Sequence, residues 1–383
     1  MAVKRIAGPV ILCLGCILLH GGAACAADTD DPPYLVEYRA CREAIQAGDI
    51  DAAIGHARAA WQSAEQLLGD DRNTATLAFN FGRLQLHRDA AKALPALHRA
   101  DELRQSGIAE LPAAPLRLLL SYAEYSTSPR KRGDLRTFRK ALEASTAELS
   151  GGDIDLAEIW SALTMEDFAA GRYPDAVRSA ASSEAAIRAA TPDDAEALAQ
   201  MILVGGAARI MPVHRTDGQL LAAHREFRRA RRLFPPQKDI ESFDPLFAQV
   251  LAWDAAAEAA YRSIRKKGFP NDAAEDEPPM PPVFEESGEN DDHCGHIEWQ
   301  SRKPPEYPDG AADAGYVGAV LVGYDISDDL KVSNPKILAE VPALKFGYAA
   351  ASSMSDWRAE PLASDDPACR HNLLTRFTFA IDQ

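Results

Sequence analysis

From Tyr34 to Lys267 the sequence reads as one amphipathic helix after another, with alanine as the recurrent small residue and a tight turn as the recurrent break. Alanine loses no side-chain entropy in a helix, so a stretch this rich in it favours helices over strands. Gly48-Asp49-Ile50-Asp51-Ala52-Ala53 reads as a turn and a helix start, after which Ala53, Ala57 and Ala60 recur at spacings of four and three. Gly171-Arg172-Tyr173-Pro174-Asp175-Ala176 repeats the pattern, with Trp160 and Leu163 on the helix that leads into it. Glycine permits the sharp reversal, and small residues let the two helices approach closely. A chain built this way leaves each helical pair with an apolar face that only a neighbour can cover. Hence the expectation is an α-solenoid with a concave surface suited to a peptide or another protein.

Trp160, Gly171, Tyr173 and Ala176 are together similar to the tetratricopeptide pattern: a bulky residue on the first helix, Gly and Tyr at the turn, a small residue on the second. A further unit shows in Thr76 to Gly82 and Ala93 to Leu97. More degenerate units span roughly Leu116 to Leu149 and Asp194 to Phe234, before a terminal helix from Phe247 to Lys266.

The composition narrows the partners. The 383 residues carry 57 acidic against 41 basic side chains, a formal charge of −16. Affinity for phosphate needs a basic face, so nucleic acid is excluded as an expected partner. At the N-terminus, Lys4 and Arg5 precede an apolar run from Ile6 to Leu19, and Ala24-Cys25-Ala26 offers small residues at the cleavage positions. Residues 1–27 therefore read as a secretory signal peptide, which places the mature chain in the periplasm without a transmembrane segment. The alternatives are a lipid anchor at Cys25 or an uncleaved inner-membrane anchor. In an oxidising compartment Cys294 and Cys369 are expected to form a disulfide, with Cys41 a small buried hydrophobe on a helix face.

Residues 268–292 are rich in proline and acidic residues, and read as an extended linker between the helical domain (34–267) and a C-terminal domain (293–383). In that last domain the period changes. Ala319 to Ile326 is a strand, Asp328-Asp329 a turn, and Lys331 to Leu338 a second strand whose Pro335 predicts an edge position or a bulge. Ala343 to Met354 is expected to be a helix with Leu344, Tyr348, Ala351 and Met354 on its buried side. Leu374 to Ile381 is a last strand. The unit is then a small α+β fold, an antiparallel three-stranded sheet with one helix, in a chain that is otherwise mostly α.

Pro305-Glu306-Tyr307-Pro308, Gly315 and Gly318, the strand ending in Tyr324-Asp325-Ile326, and Trp357-Arg358-Ala359-Glu360-Pro361 before the final strand resemble the TonB C-terminal domain in order and spacing. The stretch covers roughly Pro304 to Ile381. The resemblance implies envelope proteins or peptides as partners, outer-membrane transporters among them, bound by strand addition at a sheet edge. Tyr307 and Pro308 would lie near that contact, with Thr378 on the last strand, while Trp357 and Pro361 would be structural. The chain departs from the family in four ways. Cys16 and His20 stand at the spacing where TonB anchors carry Ser and His, helical repeats replace the long Pro-rich spacer, Asp329 stands where a turn glycine is usual, and Ser364 to His371 reads as an insertion. A TonB-type energy transducer is accordingly the alternative, and a non-catalytic binding or scaffold protein the first reading. His293-Cys294-Gly295-His296 with Cys369-Arg370-His371 is the one cluster with chemistry in it, and reads as a disulfide rather than a metal site. No catalytic residue or cofactor is assigned.

Overall fold

The structure, a computed structural model, describes residues 31–128, 132–149, 152–212, 215–265, 283, 297–362, 364 and 366–380. The signal-peptide reading, most of the linker and Cys294 lie outside those residues. The chain divides into two compact units, Met1–Gly151 and Gly152–Gln383.

The first unit contains α1 (Pro33–Gln46), α2 (Ile50–Leu68), α3 (Arg72–Leu86), α4 (Ala90–Gln105), α5 (Ala113–Thr127) and α6 (Arg132–Glu148), each packed against the next. Aspartates begin three of these helices. Asp49, Asp71 and Asp89 accept hydrogen bonds from the backbone N–H groups of Ala52, Asn73 and Lys92, which otherwise would find no partner in the first turn. The small-residue face appears as expected: Ala53, Ala57, Ala60 and Ala64 are all buried on α2. Between α3 and α4 the approach is closer still, because a Cβ on Gly82 would meet the Leu97 side chain at 2.6 Å. Cys41 is buried on α1.

The second unit begins with α7 (Ile154–Ala169), α8 (Tyr173–Ala190), α9 (Ala195–Ile210), α10 (Asp217–Arg231) and α11 (Pro245–Arg265). Trp160 and Leu163 are buried on α7, and Ala176 is fully buried on α8. Gly171 makes the turn between them at φ +70°, a left-handed conformation that costs other residues energy. The ring of Tyr173 packs edge-on against Phe168 at 5.8 Å. The hairpin is also locked by Asp167, buried and bonded to Arg172 Nε at 2.8 Å and to Ser179 Oγ at 2.9 Å. A buried carboxylate satisfied on both oxygens by the turn and the second helix ties the two helices in one register.

The same unit continues with β1 (Trp299–Ser301), α12 (Asp309–Asp313), β2 (Gly318–Ile326), β3 (Val332–Val341), α13 (Gly347–Met354), β4 (Arg358–Ala359) and β5 (Leu373–Phe379). A three-stranded antiparallel sheet has the order β3-β2-β5, and β1 pairs with β4 in a separate two-stranded sheet. β3 is thus an edge strand and also carries register shifts, one of them across the Asn334-Pro335 pair, which matches the constraint that proline imposes. The helix differs from expectation. It begins at Gly347, four residues late, and buries Gly347, Ala350, Ser353 and Met354. Leu344 and Tyr348, expected on the buried side, are 90% and 88% exposed. The reason is local: Leu344 adopts a left-handed φ of +61°, which delays the helix and gives the core position to Phe346 instead.

The largest departure concerns the sheet's second face. One face carries Val320, Val322, Tyr324 and Ile326 into a core with Phe346, Ala350, Met354 and Trp357. The other carries Ala319, Leu321, Ala339 and Val341 into a core shared with α9, α10 and α11. The expected terminal helix of the repeats is therefore the floor of the C-terminal domain.

Candidate functional site

The last strand is positioned by an unbroken antiparallel register with β2, from Gly318 opposite Phe379 to Tyr324 opposite Leu373. It has no second strand neighbour among the described residues, so one edge of β5 presents a row of unpaired main-chain groups. Alternation sets its side chains. Phe377 and Phe379 enter the aromatic core, while Leu374 and Ala380 pack toward α11 and Thr378 is exposed.

Two structural layers flank this edge. On the aromatic side, Trp357 is almost fully buried, and its indole N–H donates to the carbonyl of Lys303 at 2.9 Å. Its ring meets Trp299 at 5.0 Å and Phe377 at 5.3 Å. The guanidinium of Arg302 lies 4.5 Å from the Trp357 ring centroid and reaches Thr375 Oγ1 at 3.4 Å. On the helical side, Arg376 lies 3.6 Å from the Glu258 carboxylate of α11, which also accepts from Arg262 at 2.6 Å.

The expected site residues are dispersed over these layers. Tyr307 packs edge-on against Phe346 and Phe379 at 5.7 and 5.8 Å, and its hydroxyl donates to the carbonyl of Tyr316. Burial pushes its phenol pKa upward, with Arg215 opposing. It is a half-buried member of the core rather than a projecting contact residue. Pro308 caps the start of α12, and Pro361 is exposed after β4. The fold brings Tyr307 and Trp357 into one core and leaves Thr378 on the opposite face of the sheet. Cys369 is buried in a short 3-10 helix, Pro367–Arg370.

Sequence reasoning missed the residues that hold the domain against the helices. A Cβ on Gly323 would strike Ile240 at 2.6 Å, so glycine is what allows β2 to lie against the α10–α11 loop. Ile240 N–H donates to Asn372 Oδ1 at 3.2 Å, and Lys336 Nζ reaches the Ile240 carbonyl at 3.3 Å and the Glu241 carboxylate at 3.2 Å. Arg215 donates to the carbonyl of Gly315 at 3.2 Å. Tyr173 of the hairpin motif is near enough to Tyr316 that the second phenol adds to the rise in its pKa, after burial. On α10, Arg225 and Arg229 are exposed, whereas Arg228 and the Arg232 that follows the helix are half-buried.

Residues 303–381 match the family model described as the Gram-negative bacterial TonB protein C-terminal. No curated protein matches the chain. Among solved structures, the TPR2AB domain of yeast Sti1 in its pHSP90 complex is similar over 59% of this chain and 83% of that one, at 18% identity and a TM-score of 0.20. The helical hairpins described above, not that superposition, carry the repeat architecture. Among the described residues no helix is long and apolar enough to cross a membrane.

Proposed function

We propose that this chain is a non-catalytic periplasmic scaffold whose C-terminal domain binds an extended peptide by strand addition at the free edge of β5. The observation that carries this reading is the position of β5 at the end of the order β3-β2-β5 with an uninterrupted register. The opposite edge is a poorer template, since Asn334 sits at φ +50° and Pro335 has no N–H to donate. Each main-chain hydrogen bond gained on strand addition is worth about 0.5–1.5 kcal/mol net, so affinity is modest and side chains beside the edge supply specificity. The partners are proteins or peptides of the cell envelope, outer-membrane transporters among them, and the helical hairpins bind a different partner. A disulfide between Cys294 and Cys369 closes the domain, and non-reducing peptide mapping checks it.

The test uses the full mature chain, because the sheet shares a core with α11. Titration with extended synthetic peptides, followed through backbone amide resonances, is expected to move alternate amides of β5 first. Shifts confined to α13 or to β3 would show strand addition at β5 to be wrong. A TonB-type transducer remains the alternative reading, and the mature N-terminus separates the two. A start near Ala27 or Asp28 supports the scaffold, and an intact Met1 supports an anchored transducer.

A further inference from the structure

We propose that α11 forms one wall of the β5 groove, and that Arg376 and Arg262 select peptides bearing an acidic side chain on the wall-facing side. The inference rests on strand addition at β5 and adds to it the chemistry of the partner.

The geometry of an added strand leaves little freedom. Its side chains alternate between the two faces of the sheet, and those sharing the face of Arg376 come beside that residue. On this face α11 packs against the sheet and reaches β5 where Glu258 and Arg262 lie beside Arg376, so side chains of an incoming peptide on this face approach those groups. The nearest charges are unequal. Arg376 and Arg262 share the single carboxylate of Glu258, at 3.6 and 2.6 Å. Both arginine side chains are more than half exposed, at 59% and 62%, which leaves donors on each available to a second acceptor. Burial disfavours the charge on the half-buried Arg231, Asp254 favours it, and Arg228 and then Arg376 add repulsion. The two arginines outnumber the one carboxylate they share, which leaves this spot positive in a chain whose formal charge is −16. A guanidinium presents a rigid fork of donors, suited to a carboxylate. The occupant that complements the wall is an extended segment with Glu or Asp at a wall-facing position.

Calorimetry on the full mature chain, with four peptides, decides the matter. All are nonapeptides of alternating Thr and Val, with a central Glu or Gln in each of the two phases of the alternation. In one phase the Glu peptide is expected to bind about tenfold more tightly at low salt, with the ratio shrinking as salt screens it. In the double variant Arg376→Gln, Arg262→Gln that ratio falls to about one, while the Gln peptide binds as before. Glu258→Gln, which releases both guanidinium groups, raises the preference for Glu. Far-UV circular dichroism confirms that the variants are folded. If Glu and Gln peptides bind the wild-type chain equally while β5 amides still shift, the acidic preference is wrong and strand addition stands. A Glu preference that survives the double variant assigns the reading to the wrong residues. Binding of none of these peptides overturns both proposals.

Discussion

Asp329 shows how a departure from a family pattern is absorbed by its neighbours. The turn between β2 and β3 still needs a left-handed residue, and Leu330 supplies it at φ +63°. Ser327 Oγ donates to Asp329 at 2.6 Å and the Lys331 ammonium lies 2.9 Å from the carboxylate. These partners, Ser327 first, hold the Asp329 carboxyl at about 2 against an ordinary value of 3.8. A folded-state pKa below the unfolded one contributes stability above pH 3.8 that is lost as pH falls through about 2. Asp329→Asn is therefore expected to lessen the loss of thermal midpoint between those pH values relative to wild type. Parallel acid limbs in the two proteins would remove this contribution. At this scale the sequence was partly legible. Trp357 was read as structural and lies in the core, whereas Tyr307, expected near the peptide contact, packs half-buried in that same core. Leu344 and Tyr348 were misplaced because helical spacing was counted through a residue that sits outside the helix. The spacing that mattered was Phe346, Ala350 and Met354, four apart, and it begins where the left-handed residue ends.

The elements themselves were easier to read than their neighbours. Turn glycines, aspartate caps and small-residue faces follow from local chemistry, so the helical hairpins and the three strands were accessible to periodicity. That α11 and β2 pack together was written in the sequence too, in a form that periodicity does not reveal. Ala319-Val320-Leu321-Val322 is apolar at every position, as a strand covered on both faces must be. Helix α11 is buried nearly all round, from Phe247 to Ser263, which excludes a solvent-facing end to the array. Each run was the other's missing cover. A fragment of residues 293–383 therefore exposes Ala319, Leu321, Ala339 and Val341, and is expected to associate or unfold at a lower temperature than residues 152–383. The longer fragment is expected to unfold in one cooperative transition. A monomeric short fragment with the same midpoint would show that α11 adds nothing to the sheet.

On the scale of the molecule, the C-terminal domain emerges as part of a larger unit and not as a module suspended on a linker. The linker sequence invited the opposite picture, since proline and acidic residues argue for separation and say nothing about docking surfaces. One residue of that stretch, Val283, packs on the shared core, and its carbonyl accepts from Gln237 N–H at 2.7 Å. Docking the sheet's broad face leaves its edges as the places where a further strand can add, and β5 is the more regular of the two. Hydrogen exchange of the full chain tests this directly. In the free protein, β2 amides are expected to exchange slowly, and alternate amides of β5, those turned away from β2, quickly. A saturating extended peptide should slow that alternate set on β5 and leave α11 unchanged. Complete protection of β5 before peptide is added, or protection on binding that appears only in the helical hairpins, would contradict the account.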